Sequence, residues 1–373
     1  MASSTHSGLA ERTTRLNVEL IWNKGIAALC DRRIPDEFPD GQHYASVPVL
    51  AGGMGSSRLP DNLISDPGSY ADVRDGELIW VRVSWLKSFV RQVLPLVNAR
   101  CVLVTGDSDS CVPSEIGTEA RALLESPKIV HWYTQNYDAT VSDKISAVPI
   151  GIDFHLMSER TVWGENITSP EEQERNIKSV AKQLPRLEDR IPQVYVDFAW
   201  QKGLGLRHYR RFHPMRGTKL WQTRSAVIRR VRNLPGVFLQ EGPLPRTELW
   251  RQRGNYAFVL SPHGIGLDCH RTWEALALGH IVLVPSCSLN PLYSGLPVVP
   301  LRDWREINPE NLQKWLAEFR SYTATCEELK SSYWIEKMRE SARQALPTDG
   351  TRKRVVQSVK AAAAAAAGRQ LST

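Results

Sequence analysis

The sequence predicts an α/β protein built on parallel sheets, and three observations carry that expectation. At 373 residues the chain is long for one domain and comfortable for two. Hydrophobic residues make up 42% and charged residues 23%, the balance of a globular protein with a real core. Short apolar runs alternate with stretches of helical spacing, most regularly after residue 194, as in a parallel sheet covered on both faces.

Residues 1–45 are polar or mixed and read as an N-terminal arm with one short helix near Leu20–Leu29. Val47–Leu50 reads as a strand entering the loop Ala51–Ser57. The glycines of that loop would allow close approach to a ligand, although a plain flexible loop explains them better. Leu78–Val83, Cys101–Val104, Ile129–Tyr133 and Ala147–Ile150 are strand-like, and Trp85–Val97 has helical spacing with Trp85, Phe89, Val93 and Leu96 on one face. These place a first α/β domain at 46–156. Residues 157–193 are rich in charge and proline with few strand-like runs, which suits an interdomain connection.

A second domain is expected at 194–346. Its strands are Val194–Phe198, Val237–Leu239, Tyr256–Leu260, Ile281–Val284 and Val298–Pro300. Its helices are Lys219–Asn233, Pro245–Arg253, Cys269–Leu278, Asn311–Tyr322 and Cys326–Ala345. Sheets of this kind bind ligands at the carboxyl ends of their strands. The tail 347–373 holds the run Ala361–Ala367, which favours helix but is marginal without packing, and no function attaches to it.

Composition narrows the function classes. No apolar stretch reaches the roughly 18 residues of a membrane span. Met1–Leu16 lacks a signal-peptide core, so a soluble, cytoplasmic chain is expected. Six scattered cysteines without a C-x-x-C pair speak against a zinc ribbon or a disulfide scaffold. The net charge of +7 is local: between Asp197 and Glu241 there are ten Lys and Arg and no acidic residue, so an anionic partner is expected at one place.

The loop Ser261–Glu274 carries most of the functional argument. Pro262 ends a strand, and Gly264 and Gly266 permit tight turning and close approach of backbone to a ligand. Asp268 is expected to cap the following helix, whose N–H groups and dipole favour a phosphate. Arg271 in the first turn suits a bidentate contact with a diphosphate, and Glu274, on the same face, suits ribose hydroxyls. Gly279 closes the helix. The plain reading is a tight turn and a capped helix, since Gly-x-Gly alone is weak. The two added charges at a strand end bring the ligand-crevice reading level with the plain one.

Phe258-Val259-Leu260-Ser261-Pro262-His263-Gly264, followed by Asp268-Cys269-His270-Arg271-Thr272-Trp273-Glu274-Ala275-Leu276, resembles the nucleotide-sugar loop of exostosin-like glycosyltransferases. Ile281–Val284, Leu292-Tyr293, Leu296–Val299 and Asp303-Trp304 fit the same pattern, and the resemblance is specific over about 194–315. Val104–Asp109, Gln135–Asp138 and Pro149–Asp153 are similar in kind. The resemblance implies a GT-B architecture of two Rossmann-like domains facing a central cleft, with the donor in the C-terminal domain. It implies that Arg271 holds the diphosphate and Glu274 the ribose, with Ser261, His263, Gly264, Gly266 and Asp268 around the donor. The membrane anchor usual in eukaryotic relatives is not seen in this sequence.

The expected reaction moves a sugar from a nucleotide diphosphate to a hydroxyl of a glycan, glycoconjugate or small acceptor. It is expected to invert the sugar and to need neither cofactor nor divalent metal. Arg207 and Arg211, at the start of the basic segment, are placed against the leaving diphosphate, while Arg229, Arg230 and Arg232 fit a solvated helix face. Asp107-Ser108-Asp109 also has the form of a D-x-D metal motif or of a simple turn; Asp107 without a metal is one candidate base, and Asp153 and His155 are the others. Trp132, Tyr133 and Asn136 are candidates for a sugar-binding wall, with core packing the safer reading for Trp132. Two rival classes remain: a nucleic-acid binder using residues 202–232, and a non-catalytic nucleotide- or glycan-binding relative.

Overall fold

The computed structural model describes residues 18–34, 64, 66–139, 142–198, 224–322 and 326–346. The expectations on Val47–Leu50, Ala51–Ser57, Arg207, Arg211 and the alanine tail lie outside these residues.

Two five-stranded sheets, each parallel throughout, form the framework. The first runs in chain order through β1 (Arg32–Ile34), β2 (Leu78–Arg82), β3 (Cys101–Gly106), β4 (Ile129–Thr134) and β5 (Ile145–Ala147). The second is built from β6 (Ile191–Val196), β7 (Val237–Leu239), β8 (Tyr256–Leu260), β9 (Ile281–Pro285) and β10 (Val298–Leu301), in the order β7-β6-β8-β9-β10. Every residue of β2, β3 and β9 is buried, which is why these strands read as near-continuous apolar runs rather than alternating ones.

The second sheet changes direction between β6 and β8. In a doubly wound sheet that reversal leaves a crevice beyond the carboxyl ends of the two strands. Asp197 follows β6 there and Ser261 follows β8. The loops after β4, β5 and β8 meet across a cleft: the Asn136 side chain accepts from Asp268 N–H at 2.9 Å, and the Asp268 carboxylate accepts from Ile150 N–H at 2.8 Å. The architecture is thus GT-B-like, two Rossmann-like domains with facing carboxyl edges.

Helices α1 (Asn23–Leu29), α2 (Thr118–Glu125), α3 (His155–Glu159), α4 (Pro170–Gln183), α5 (Arg224–Val231), α6 (Arg246–Arg253), α7 (His270–Ala277), α8 (Pro309–Phe319) and α9 (Ser331–Ala345) surround the sheets. Helix α4 lies within the expected connection and starts from a complete capping box, Ser169 with Glu172, and a proline in its first turn. It packs against α6 and α7, so this stretch braces the second half of the chain.

Three expectations need correction. Trp85–Val97 is not one α-helix: a 3-10 turn at Val83–Trp85 and a single α-turn at Leu86–Ser88 lead into a π-helical turn at Phe89–Val93. Phe89 and Val93 still reach the core from that irregular backbone, but Trp85 is only half-buried and Leu96 is exposed, so the expected face is buried at two of its four positions. The strand expected at Ala147–Ile150 lies at Ile145–Ala147, where pairing with Trp132–Thr134 sets its limits. Helix α9, assigned by its position in the chain to the second half, packs on α1, β3 and β4 of the first. Parallel strands that follow one another in chain order with the usual right-handed crossovers carry their connections on one face, which leaves the other for a helix from elsewhere in the chain.

All six cysteines are free, and among the described residues no helix is long and apolar enough to cross a membrane.

Candidate functional site

The cleft has two walls, each built around a carboxylate at a strand end. On the first, the β2–β3 register puts Arg82 opposite Gly106, so its guanidinium reaches the next residue, Asp107. Asp107 Oδ2 lies 3.0 Å from Arg82 Nε and 2.6 Å from Lys24 Nζ, the latter fully buried at the start of α1. Burial opposes the carboxylate charge, but Lys24 and Arg82 prevail and hold its pKa below the ordinary value. Asp107 is therefore committed to two cations, and this corrects its expected role as a free base facing the cleft.

The segment after β5 supplies a different pair. His155 Nδ1 lies 2.9 Å from Asp153 Oδ1. A carboxylate only accepts, so Nδ1 carries the donated proton and Nε2 is the basic nitrogen of the neutral ring. Leu156 N–H also donates to Asp153 at 3.1 Å. Asp153 is buried, yet the charges of His270 and His155, the hydrogen bond from His155 and the charge of Arg246 outweigh burial and keep it well below the usual carboxylate range. Burial lowers the pKa of His155, but the Asp153 charge and hydrogen bond, with help from Asp107, raise it overall. Asp153 and His155, expected only as separate candidates, are thus an oriented dyad.

The second wall is built from β6, α5, α6 and α7. Asp197, buried after β6, accepts from Arg253 Nη1 at 2.9 Å and from Arg271 Nε at 3.0 Å. The Arg271 guanidinium also lies over the Phe198 ring, 5.5 Å from its centroid. Its Nη1 is buried without a hydrogen-bond partner among the described residues, as is Nε of Arg224. Burial, then the neighbouring charge of Arg271, lowers the Arg224 pKa. Two adjacent guanidinium groups with unused donors form a receptive place for an anion. Helix α7 begins beside them with Cys269 at its N-cap and no side-chain cap.

The loop Ser261–Asp268 is held from within. Ser261 Oγ bonds to Thr272 at 2.9 Å, His263 Nδ1 donates to Leu267 O at 2.8 Å, and Gly264 N–H donates to Gly266 O at 3.1 Å. A side chain on Gly266 would come within 2.7 Å of the Asn136 amide, so this glycine is required by the approach of the opposite wall. Asp268 is not the expected cap. Its carboxylate accepts from Cys269 N–H, from the Trp273 indole and from Ile150 N–H across the cleft. Burial pushes its pKa up to about 6 against those donors.

Glu274 is ion-paired with Arg246 and weakly approached by Trp250 Nε1 at 3.5 Å. Arg246 is itself sandwiched by the rings of Trp163 and Trp250, at 4.7 and 4.8 Å, and donates to Asp153 O at 2.8 Å. Glu274 thus keeps acceptor sites beyond that pair, but it is not the free ribose acceptor expected. Arg271 and Glu274 leave one helix face toward different partners, Asp197 and Arg246.

Asp109 is exposed at the edge of the cleft yet crowded by protein on its inner side. That crowding raises its pKa, against the pull of His270, Arg224 and the Gly266 N–H. Trp132 is a core residue whose indole donates to Thr105, and Tyr133 bonds to Ser341 on α9, so neither lines a sugar-binding wall. Of the ten clustered cations, Arg229, Arg230 and Arg232 are exposed beside the buried Val227 and Val231, as expected for a solvated face. Lys24, Arg82, Asp197, Arg224, Arg246 and His270 had not been singled out as site residues. Asp197 at a strand end and Arg224 in the acid-free run were visible signals; Lys24 had none.

No protein-family model matches the chain, and no curated protein does. Among solved structures it is similar to an alpha,alpha-trehalose 6-phosphate synthase from Burkholderia multivorans, at 13% identity and TM-score 0.29, covering 80% of this chain and 76% of that one. A trehalose-6-phosphate protein from E. coli bound with UDP-2-fluoro glucose gives 13%, TM-score 0.28 and coverages of 75% and 73%. AviGT4, a glycosyltransferase involved in avilamycin A biosynthesis, gives 13%, TM-score 0.20 and coverages of 74% and 88%. Likeness of this degree carries no argument about activity, and the two facing domains rest on this chain's own topology.

Proposed function

We propose that the protein is a glycosyltransferase of exostosin-like type, moving a sugar from a nucleotide diphosphate to a hydroxyl acceptor with inversion and without a metal. The observation that carries this reading is the pairing, in one cleft, of an oriented imidazole with two guanidinium groups that have unused donors.

His155 Nε2 takes the proton of the acceptor hydroxyl, with Asp153 fixing the tautomer and favouring the imidazolium that forms. The acceptor oxygen bonds to the anomeric carbon, and the bond from that carbon to the diphosphate oxygen breaks with its electron pair staying on the leaving group. Arg271, Arg224 and the uncapped start of α7 meet that charge, a task that suits preorganised donors in an enclosed site. Gly264 and Gly266 keep the loop backbone close to the diphosphate, and the remaining acceptor sites of Glu274 face the ribose. Ser261, His263 and Asp268 hold the loop in shape. Arg207 and Arg211 stay candidates for the same anion.

Thermal-shift and calorimetric titration with nucleoside diphosphates and their sugars tests the donor half, because a ligand bound only by the native state raises its stability by mass action. At least one diphosphate is expected to raise Tm in the wild type and to do so far less in Arg224→Ala and Arg271→Ala. No response to any donor sinks the reading. Binding of a donor without transfer to any hydroxyl or water favours the non-catalytic relative, and salt-sensitive binding of DNA or RNA alone favours the nucleic-acid reading.

A further inference from the structure

The dyad has a third neighbour. Asp153, His155 and His270 each offer a ligand atom, and all three atoms lie within 4.8 Å of one another. Ligands on a tetrahedral zinc at about 2.0–2.2 Å stand roughly 3.3–3.6 Å apart, so small side-chain shifts would bring the three around one ion. His270 is already oriented for it: its Nδ1 donates to Gly151 O at 2.7 Å, leaving Nε2 with the lone pair. A backbone carbonyl fixing the far nitrogen is the usual support of a metal-bound histidine. The rings of His155 and His270 are 5.7 Å apart, and both are partly exposed while Asp153 is buried. Two imidazoles and one carboxylate suit zinc-class ions; magnesium and calcium prefer oxygen ligands. The ligands come from both walls, Asp153 and His155 from the segment after β5 and His270 from the first residue of α7.

We propose that Asp153, His155 and His270 bind one zinc-class ion, with His155 ligating through Nδ1 and its proton moved from there to Nε2. The ion clips the two walls together and inhibits transfer because His155 is left with no basic nitrogen to take the acceptor proton. The inhibitory half rests on the glycosyl-transfer reading; the site and the clip do not.

The full chain, stripped with a chelator, is titrated with cobalt(II) and then zinc. One equivalent is expected, with a visible cobalt band that zinc abolishes and a zinc-dependent rise in Tm. Both are expected to be lost in His270→Ala and in Asp153→Asn, with folding checked by circular dichroism. No band, or an unchanged zinc effect in a folded His270→Ala, overturns the site. X-ray absorption of the zinc-loaded wild type decides without any variant: two imidazole ligands are expected, and fewer than two overturns it. In the transfer assay one equivalent of zinc is expected to abolish activity, reversibly with chelator. Full activity at full occupancy overturns the inhibitory half. A protein that binds zinc through both histidines but transfers no sugar overturns the transfer reading and leaves the site standing.

Discussion

The two walls of the cleft share one formula, a carboxylate at a strand end held by two cations, but use it differently. On the first wall Asp107 is gripped by Lys24 and Arg82, all three largely enclosed. On the second, Asp197 is shared by Arg253 and Arg271, and Arg271 remains partly exposed with a buried nitrogen unused. Arg224 adds a further cation on the second wall, whereas Asp153 adds a carboxylate near the first. The first trio holds architecture; the second leaves charge available. The contrast teaches that strand-end position does not by itself make a carboxylate or an arginine functional. What decides is whether its hydrogen-bonding capacity is spent.

That contrast can be broken at its strongest point. Asp107→Ala leaves Lys24 and Arg82 enclosed without their carboxylate, and losing one partner of a buried pair costs about 3–5 kcal/mol. The expected result is a large loss of stability in denaturant unfolding, with donor binding kept wherever the protein remains folded. The pH dependence has a defined sign. A carboxylate held below its unfolded pKa contributes stability that is present above that pKa and fades as pH falls through the folded value. Wild-type Tm should therefore fall more steeply from pH 7 toward pH 3 than that of Asp107→Asn. Equal slopes would show that the trio does not act as an ionic unit.

On the second wall the order of effects reverses. Arg271→Ala still leaves Asp197 paired with Arg253, so stability should change little. Transfer should fall about 10²–10³-fold, the usual effect of removing one donor from developing charge. A mutant with full activity would remove Arg271 from the site. Arg253→Ala is the counter-test: it removes a fully enclosed partner, and its loss should be read in unfolding before it is read in transfer.

How far the sequence revealed this arrangement follows from what each feature depends on. Apolar runs between turn residues are local, so β7 and β8 fall at the residues expected and Gly279, at φ 74°, ends the helix as its position suggested. Arg271 and His155 stood out as charged or titratable residues beside strand ends, and the structure sets them against Asp197 and Asp153. Other partners were not legible, because they come from distant sequence: Lys24 meets Asp107 across 83 residues, and Arg246 meets Asp153 across 93. Asp268 had the right residue type for a cap, but the fold spends its carboxylate on Trp273 and Ile150. Helix α9 had the right spacing for a core helix, and nothing in its own residues says which sheet it covers.

The smallest expected effect tests the contact between the walls. Gly266 has no positive φ to protect, and the three atoms nearest to a Cβ placed there all belong to the Asn136 amide. A methyl group at 266 would meet the Asn136 amide at 2.7 Å and must push the loop or the amide away. Asn136 in turn accepts from Asp268 N–H and donates to Ser108 O, so the shift reaches both walls. Overpacking of this kind costs about 1–3 kcal/mol. Gly266→Ala should lower stability within that range and weaken donor binding less than Arg271→Ala does. Combining Gly266→Ala with Asn136→Ala, which clears the amide, should recover part of the packing loss while losing the two hydrogen bonds. A double mutant less stable than the sum of the single effects would show that Gly266 is needed for loop conformation rather than for the approach of Asn136.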